Sequence, residues 1–317
     1  MTEGVSAPPV VSVVICTHNR ATYLEKALGS VLAQLSDHGS TEVLVVDNGS
    51  TDRTPQVVRD AQARSSVRYL REDRLGLCHA RNAGWRAARG SYVAYLDDDA
   101  MALPGWTETV RRVFHALPSV GVVGGPAMPR WEMDPPSWLS DHAARALALV
   151  DWPGGPKCIE DLDQEWLVGA NMAVRRGVLE ETGGFHRSLD RVGTNMLSNG
   201  DVHLQRQAIR LGYACYYDPG MAVRHVVPSE RLDKRWFVRR YYWQGVSDAA
   251  MELVDDAPSP ARRLLEAGRR AGRLVIRHPN QALALLRPTS HPESFTVKCC
   301  GWIEVGHIAG LLGAAKR

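Results

Sequence analysis

The sequence predicts an α/β fold: an open, mostly parallel sheet flanked by helices, followed by a helical C-terminal extension. Three observations predict it. Short β-branched runs alternate with amphipathic helical patterns through the first hundred residues. Polar clusters fall just where the apolar runs stop. Beyond residue 232 the pattern is helical and divided by prolines.

Residues 10–15 form a short β-branched run, as expected of a strand buried on both faces. Leu24, Ala27, Leu28, Val31, Leu32 and Leu35 recur at helical spacing and define one apolar face. Residues 43–46 make the next strand, and Asp47-Asn48-Gly49-Ser50 the turn after it. Thr54 is the expected cap of a second helix, with Pro55 at its first position. A third strand is expected over 67–70, a helix over 77–88 closed by Gly90, and a fourth strand over 91–96. This order with short connections implies parallel strands, whose ligands bind beyond the carboxyl ends. From 128 to 165 the prolines at 129, 135, 136, 153 and 156 interrupt regular structure, so a binding loop or lid is expected. Order returns at 166–174, then a helix at 200–211 and an extended segment through Val226. Pro258, Pro260, Pro279 and Pro288 divide the helical tail. The expected boundaries are a flexible tail over 1–9, a main domain over 10–227 with halves 10–128 and 129–227, and a helical region over 228–317.

The 317 residues, 44% of them hydrophobic, suffice for two structural units of about 150 residues each. Such a chain folds without disulfides or a structural metal. Basic and acidic residues nearly balance, 38 against 35, which argues against a nucleic-acid partner. Lysine occurs only at 26, 157, 234, 298 and 316, so arginine supplies nearly all of the basic charge. Cysteines at 16, 78, 158, 215, 299 and 300 form no CxxC pair, which excludes a zinc ribbon or disulfide framework. The first nine residues lack the basic start and apolar core of a signal peptide. No apolar run reaches the roughly 18 residues of a membrane span. A cytoplasmic protein with reduced thiols is expected.

The chemistry-bearing residues gather at three strand ends: Thr17-His18-Asn19-Arg20, Asp47, and Asp97-Asp98-Asp99. Carboxylates at i and i+2 after a strand can share a divalent cation, and such hard oxygen ligands suit Mg²⁺ or Mn²⁺. Asp47 reads either as an Asx-turn residue or as an acceptor for a base imide or ribose hydroxyl. His18 is either a satisfied loop histidine or a flat ring stacked on a nucleobase. Arg20 and Arg81 carry forks suited to phosphate oxygens.

The runs VSVVICTHNR, VLVVDNGSTDRT, GLCHARNAGWRAARGSYVAYLDDD and WLVGANMAVRR…GGF…NGDVHLQRQAIRLG together resemble the family 2 glycosyltransferases of GT-A fold. The resemblance covers about residues 10–227 and implies a Rossmann-like catalytic domain there, with a nucleotide-sugar half followed by an acceptor half. It implies Mn²⁺ or Mg²⁺ held by Asp99 with Asp97, and by His225 where some members add a histidine. It assigns Thr17, His18, Arg20, Asp47, Arg81, Asn82, Asp97 and Asp98 to the sugar nucleotide. Asp201 matches the general base, although Gly200 replaces the family's acidic neighbour and so removes a like charge beside it. Arg235-Trp236 resembles the end of the Q-x-x-R-W motif of processive synthases. Leu232 stands where the glutamine would be, and no membrane helices follow.

The implied activity is inverting, metal-dependent transfer of a sugar from a nucleoside-diphosphate sugar, UDP being the commonest base, to an acceptor hydroxyl. That hydroxyl belongs to a glycan, a lipid-linked sugar or a small molecule. A nucleotidyltransferase is the alternative enzyme, but its glycine-rich phosphate loop is missing from Cys16 to Arg20. A non-catalytic sugar-nucleotide or glycan-binding module is the other alternative, and the presence of both the Asp97–Asp99 cluster and Asp201 argues against it. The aromatic and basic residues from Arg235 to Trp243 are expected to pack on the domain, with a peripheral role at the inner face of a membrane as the minority reading.

Overall fold

The computed structural model describes residues 10–35, 40–289 and 291–313; the expected tail over 1–9 lies outside them. In chain order the first half runs β1 (Val11–Thr17), α1 (Ala21–Leu32), β2 (Thr41–Asp47), α2 (Thr54–Gln62), β3 (Val67–Arg71), α3 (Leu77–Ala87), β4 (Tyr92–Asp97), β5 (Ala100–Ala102), α4 (Trp106–Ala116), β6 (Val120–Gly124) and β7 (Ala127–Trp131). There follow α5 (Asp141–Ala144), β8 (Lys157–Cys158), β9 (Asn171–Arg175), α6 (Arg176–Thr182), α7 (Gly200–Arg210), β10 (Ala214–Tyr217) and β11 (Val223–Val227). Four helices end the chain: α8 (Lys234–Asp256), α9 (Pro260–Ile276), α10 (Pro279–Leu286) and α11 (Pro292–Leu311).

The chain divides into two compact units. The first comprises Met1–Pro129, Val150–His186 and Gly200–Val226. Its main sheet has the order β3-β2-β1-β4-β9-β6-β10-β8. β3, β2, β1 and β4 run parallel, and every residue of β1 is buried, which explains its unbroken apolar run. α3 packs on β1 and β2, and α4 on β4 and β6. β9 inserts antiparallel between β4 and β6, so the sheet is mixed beyond its parallel half. A second, three-stranded sheet has the order β5-β11-β7. One local expectation needs correction. Thr54 is the first helical residue of α2 rather than its cap, because the Asp52 carboxylate accepts the Thr54 N–H at 3.0 Å.

The second unit comprises Arg130–Leu149, Arg187–Asn199 and Val227–Arg317. Phe237 and Tyr241 of α8 are buried with Phe295 of α11, while Arg235 and Arg239 stay exposed, as expected for a helix that packs its rings. Trp138 meets Phe237 and Phe295 edge-on, with ring centroids 5.2 and 5.0 Å apart. α8 and α11 approach until backbones touch. A Cβ on Gly245 would lie 1.9 Å from the Ile303 carbonyl oxygen, and one on Gly306 1.9 Å from that of Tyr242. Among the described residues no helix is long and apolar enough to cross a membrane.

Candidate active site

Parallel register brings the strand ends of the first unit together. Cys16 of β1 lies opposite Asp97 of β4, and Thr17 opposite Asp47 of β2. Beyond β1 the chain turns through Asn19, whose φ of 53° is left-handed, a conformation asparagine tolerates. The turn is pinned to the loop after β2: Asn19 Oδ1 accepts the Thr51 N–H at 2.7 Å, and Asn19 N–H donates to Ser50 Oγ at 2.9 Å. His18 Nδ1 bonds the Asn48 carbonyl at 2.7 Å, so that nitrogen carries the proton and the exposed ring is held in one orientation.

The acidic cluster is bound from two sides. Thr17 Oγ1 donates to Asp98 Oδ2 at 2.8 Å, and Arg20 Nη1 donates to Asp98 Oδ1 at 2.7 Å and Asp99 Oδ2 at 3.0 Å. Burial pushes the Asp98 carboxyl above its ordinary range; the Arg20 guanidinium opposes this and the Asp99 charge reinforces it. The antiparallel pairing of β5 with β11 sets His225 opposite Ala100 and brings its Nε2 to 3.1 Å from Asp99 Oδ1. His225 Nδ1 is buried without a partner. Asp97 is the open member, its side chain 30% exposed.

These residues fit a divalent cation. Among the described residues no three His, Cys, Asp or Glu side chains are placed together to hold a metal ion by themselves. Magnesium-type sites need no such group, since one or two carboxylates suffice when substrate phosphates and water fill the other positions. Asp99 with the adjacent imidazole, and the open Asp97, supply that number.

A second set of contacts joins this cluster to Asp201. Arg81 of α3, buried to 5% exposure, donates from Nη2 to Asp97 Oδ1 and to the Gly169 carbonyl, each at 2.9 Å. The Gly169 N–H in turn donates to Asp201 Oδ2 at 2.7 Å. A side chain there would force its neighbours to shift. A Cβ on residue 169 would stand 2.7 Å from Arg81 Nη1 and 3.0 Å from Asp201 Oδ2. Gln205, one turn along α7 from Asp201, clamps Leu167: its Oε1 accepts the Leu167 N–H at 2.9 Å and its Nε2 donates to the Leu167 carbonyl at 2.8 Å.

The structure therefore gathers Thr17, Arg20, Asp97, Asp98, Asp99 and His225 at one strand-end rim, and ties Arg81 and Asp201 to it through Gly169. Asp47, fully buried at the end of β2, accepts the Ser50 N–H at 2.8 Å, the Asx-turn geometry, and the Tyr69 hydroxyl at 2.6 Å. Asn82 is turned elsewhere, with Nδ2 donating to the Phe185 carbonyl at 2.7 Å and Oδ1 accepting the Phe185 N–H and Trp85 Nε1. Sequence reasoning passed over Tyr69, Gly169 and Gln205, and placed Asn19 only as a member of the first polar cluster. Gly169 and Gln205 stand inside the quoted motifs; a glycine within an apolar run was the available signal for Gly169 alone.

A mixed sheet of this order, with carboxylates, arginines and a detached aspartate at one rim, defines a GT-A type catalytic domain. The model for glycosyl transferase family 2 matches residues 12–183, and the chain belongs to that family. It is a glycosyltransferase. It is 29% identical over 255 residues to the glucosyl-dolichyl phosphate glucuronosyltransferase of Haloferax volcanii, covering 77% of this chain and 78% of that one. The same organism's glycosyltransferase AglE is 29% identical over 290 residues, covering 86% and 89%. Among solved structures, a mannosyltransferase from Pyrobaculum calidifontis in complex with GDP-Man and Mn²⁺ superposes with TM-score 0.62 at 21% identity, over 98% of this chain and 90% of that one.

Proposed function

We propose that the chain is an inverting, divalent-cation-dependent glycosyltransferase that moves a sugar from a nucleoside-diphosphate sugar to an acceptor hydroxyl. The observation that carries this reading is the Asp97–Arg81–Gly169–Asp201 relay, which sets a phosphate-side carboxylate and a second carboxylate on either side of one glycine. Asp201 accepts the proton of the attacking hydroxyl. The Gly169 N–H holds Oδ2 and the Val202 N–H, at 2.9 Å, holds Oδ1, so the carboxylate is oriented before the acceptor arrives. Asp99, with Asp97 and His225, would hold Mn²⁺ or Mg²⁺, which would supply charge stabilisation to the departing diphosphate. Arg20 and Thr17 keep Asp98 and Asp99 in place for it. His18, Asp47 and Arg81 serve the nucleotide side. Asn82 acts as a positioning residue, fixing the segment at Phe185 behind α3.

Residues 10–128 form the donor half and 129–227 the acceptor half. UDP is the expected base. The name of the glucosyl-dolichyl phosphate relative favours a lipid-linked sugar among the acceptor classes. The test pairs Asp201→Asn with a donor panel. Thermal shift with UDP, TDP and GDP sugars and Mn²⁺ identifies the donor by its stabilisation of the native state. Transfer by Asp201→Asn then falls about 10²-fold or more while donor affinity holds. Near-normal transfer by that variant refutes the assignment.

A further inference from the structure

The C-terminal helical unit carries an exposed surface that contains none of the candidate site residues. α9 buries only Ala267 and Leu274. At helical spacing Leu264, Val275, Leu265 and Ile276 share one arc of about 120°. All four lie in solvent, with exposures of 66, 64, 54 and 80%. α10 adds Leu283 and Leu286, at 48 and 85%. Exposed aliphatic side chains scattered singly are ordinary, but six on two consecutive helices mark a contact surface.

The charge beside that surface identifies what it meets. Residues 257–288 contain seven arginines and one glutamate, in a chain whose net charge is only +3. Arg262, Arg269 and Arg273 continue the aliphatic arc on α9. Glu266 is shared by Arg269, Arg270 and Arg273, at 4.0, 3.6 and 2.8 Å. Arg262, Arg277 and Arg287 make no ion pair among the described residues. A second copy of the chain is a poor occupant, because two-fold pairing would press this arginine-rich face against itself. An aliphatic stripe bordered by arginines is instead the composition of a helix that lies in a membrane interface.

The same unit holds a cavity of about 710 Å³ with matching chemistry. Lys234, Arg235, Arg239 and Lys298 surround it, over Phe295 and Trp302. None of the four cations has an ion-pair partner among the described residues, and Trp302 Nε1 is buried without an acceptor. A lipid phosphate with its first methylenes complements both the cations and the rings.

We propose that α9 and α10 dock on an anionic phospholipid surface, the aliphatic arc entering the headgroup–acyl boundary and the arginines meeting phosphates. The test is co-sedimentation of the full chain with phosphatidylcholine vesicles containing about 30% phosphatidylglycerol, against phosphatidylcholine alone. The chain pellets with the anionic vesicles and not with the neutral ones. Leu264→Glu with Ile276→Glu, both in solvent, lowers that binding about tenfold or more without changing the melting temperature. Arg262→Gln with Arg273→Gln lowers it too, by about tenfold, since each arginine near such a surface contributes. Equal binding to both vesicle types, no binding to either, or binding unchanged by these substitutions overturns the proposal. So does dimerisation in sedimentation equilibrium that Leu264→Glu with Ile276→Glu abolishes, which assigns the face to a second copy. None of these readings requires turnover, so they stand or fall separately from the proposed activity.

Discussion

Gly169→Ala is the sharpest probe of the relay, because it adds one methyl group where the site has no room. The methyl would stand 2.7 and 2.9 Å from the two Arg81 Nη atoms and 3.0 Å from Asp201 Oδ2. Contacts under 3.0 Å require something to shift, and neither neighbour is free. Arg81 is buried and bonded to Asp97 and to the Gly169 carbonyl at 2.9 Å. The Asp201 carboxylate is held at 2.7 Å by the Gly169 N–H. Relief therefore displaces the guanidinium or the carboxylate by about half an ångström or more, and such overpacking costs about 1–3 kcal/mol. That lowers the melting temperature by several degrees, at about 2–4 °C per kcal/mol for a domain of this size class. The rate suffers more, since a misplacement of about 1 Å at a reacting group costs about 10²-fold. Gly268→Ala on α9 is the control: nothing lies within 4 Å of its Cβ, so the fold gains helix propensity and turnover of a soluble acceptor holds. The assay is initial-rate sugar transfer beside a thermal melt for each variant. A folded Gly169→Ala protein with unimpaired turnover refutes the relay.

Chelation should abolish transfer, with Mn²⁺ or Mg²⁺ restoring it; Asp99→Asn should lose that response in a thermal shift with the nucleoside diphosphate, and full activity in EDTA excludes the cation. Tyr69→Phe removes the hydroxyl that Asp47 Oδ2 accepts at 2.6 Å. A buried carboxylate deprived of a donor costs about 1–3 kcal/mol, so both melting temperature and nucleoside-diphosphate affinity should drop, and calorimetry showing neither change removes Asp47 from the nucleotide side. Gly245→Ala places a methyl 1.9 Å from the Ile303 carbonyl oxygen in the helical unit. It should destabilise by about 3 kcal/mol, the upper end for overpacking, and a melt equal to that of the unsubstituted chain contradicts the α8–α11 backbone contact.

What the sequence made legible follows from which physical signals are local. β1, β2 and β4 could be read because burial on both faces leaves an apolar run, and the polar residues after each run had to lie at a common rim once the strands were parallel. The C-terminal helices could be read in part because proline opens a helix and breaks one: α9 begins at Pro260 and α10 at Pro279, whereas α11 begins at Pro292, beyond the expected divider at Pro288. The direction of a strand leaves no such trace. β9 has the same apolar run as its parallel neighbours, yet it pairs antiparallel with β4 and β6. Capping was misplaced for a related reason: Thr54 is read locally as a cap, but in the fold Arg53 holds the cap position and the Thr54 N–H turns to the Asp52 carboxylate. The site divides along the same line. Its residue types were visible, but their partners are distant in the chain: Arg81 meets Gly169 across 88 positions, and His225 meets Asp99 across 126. Residues 169 and 205 act through those distant contacts, Gly169 by having no Cβ and Gln205 by bonding the backbone that carries Gly169. Neither has a titratable group or a ligand atom to betray it. A chain read residue by residue thus yields the groups that carry charge first, and the groups that make room for them only when the fold has set them side by side.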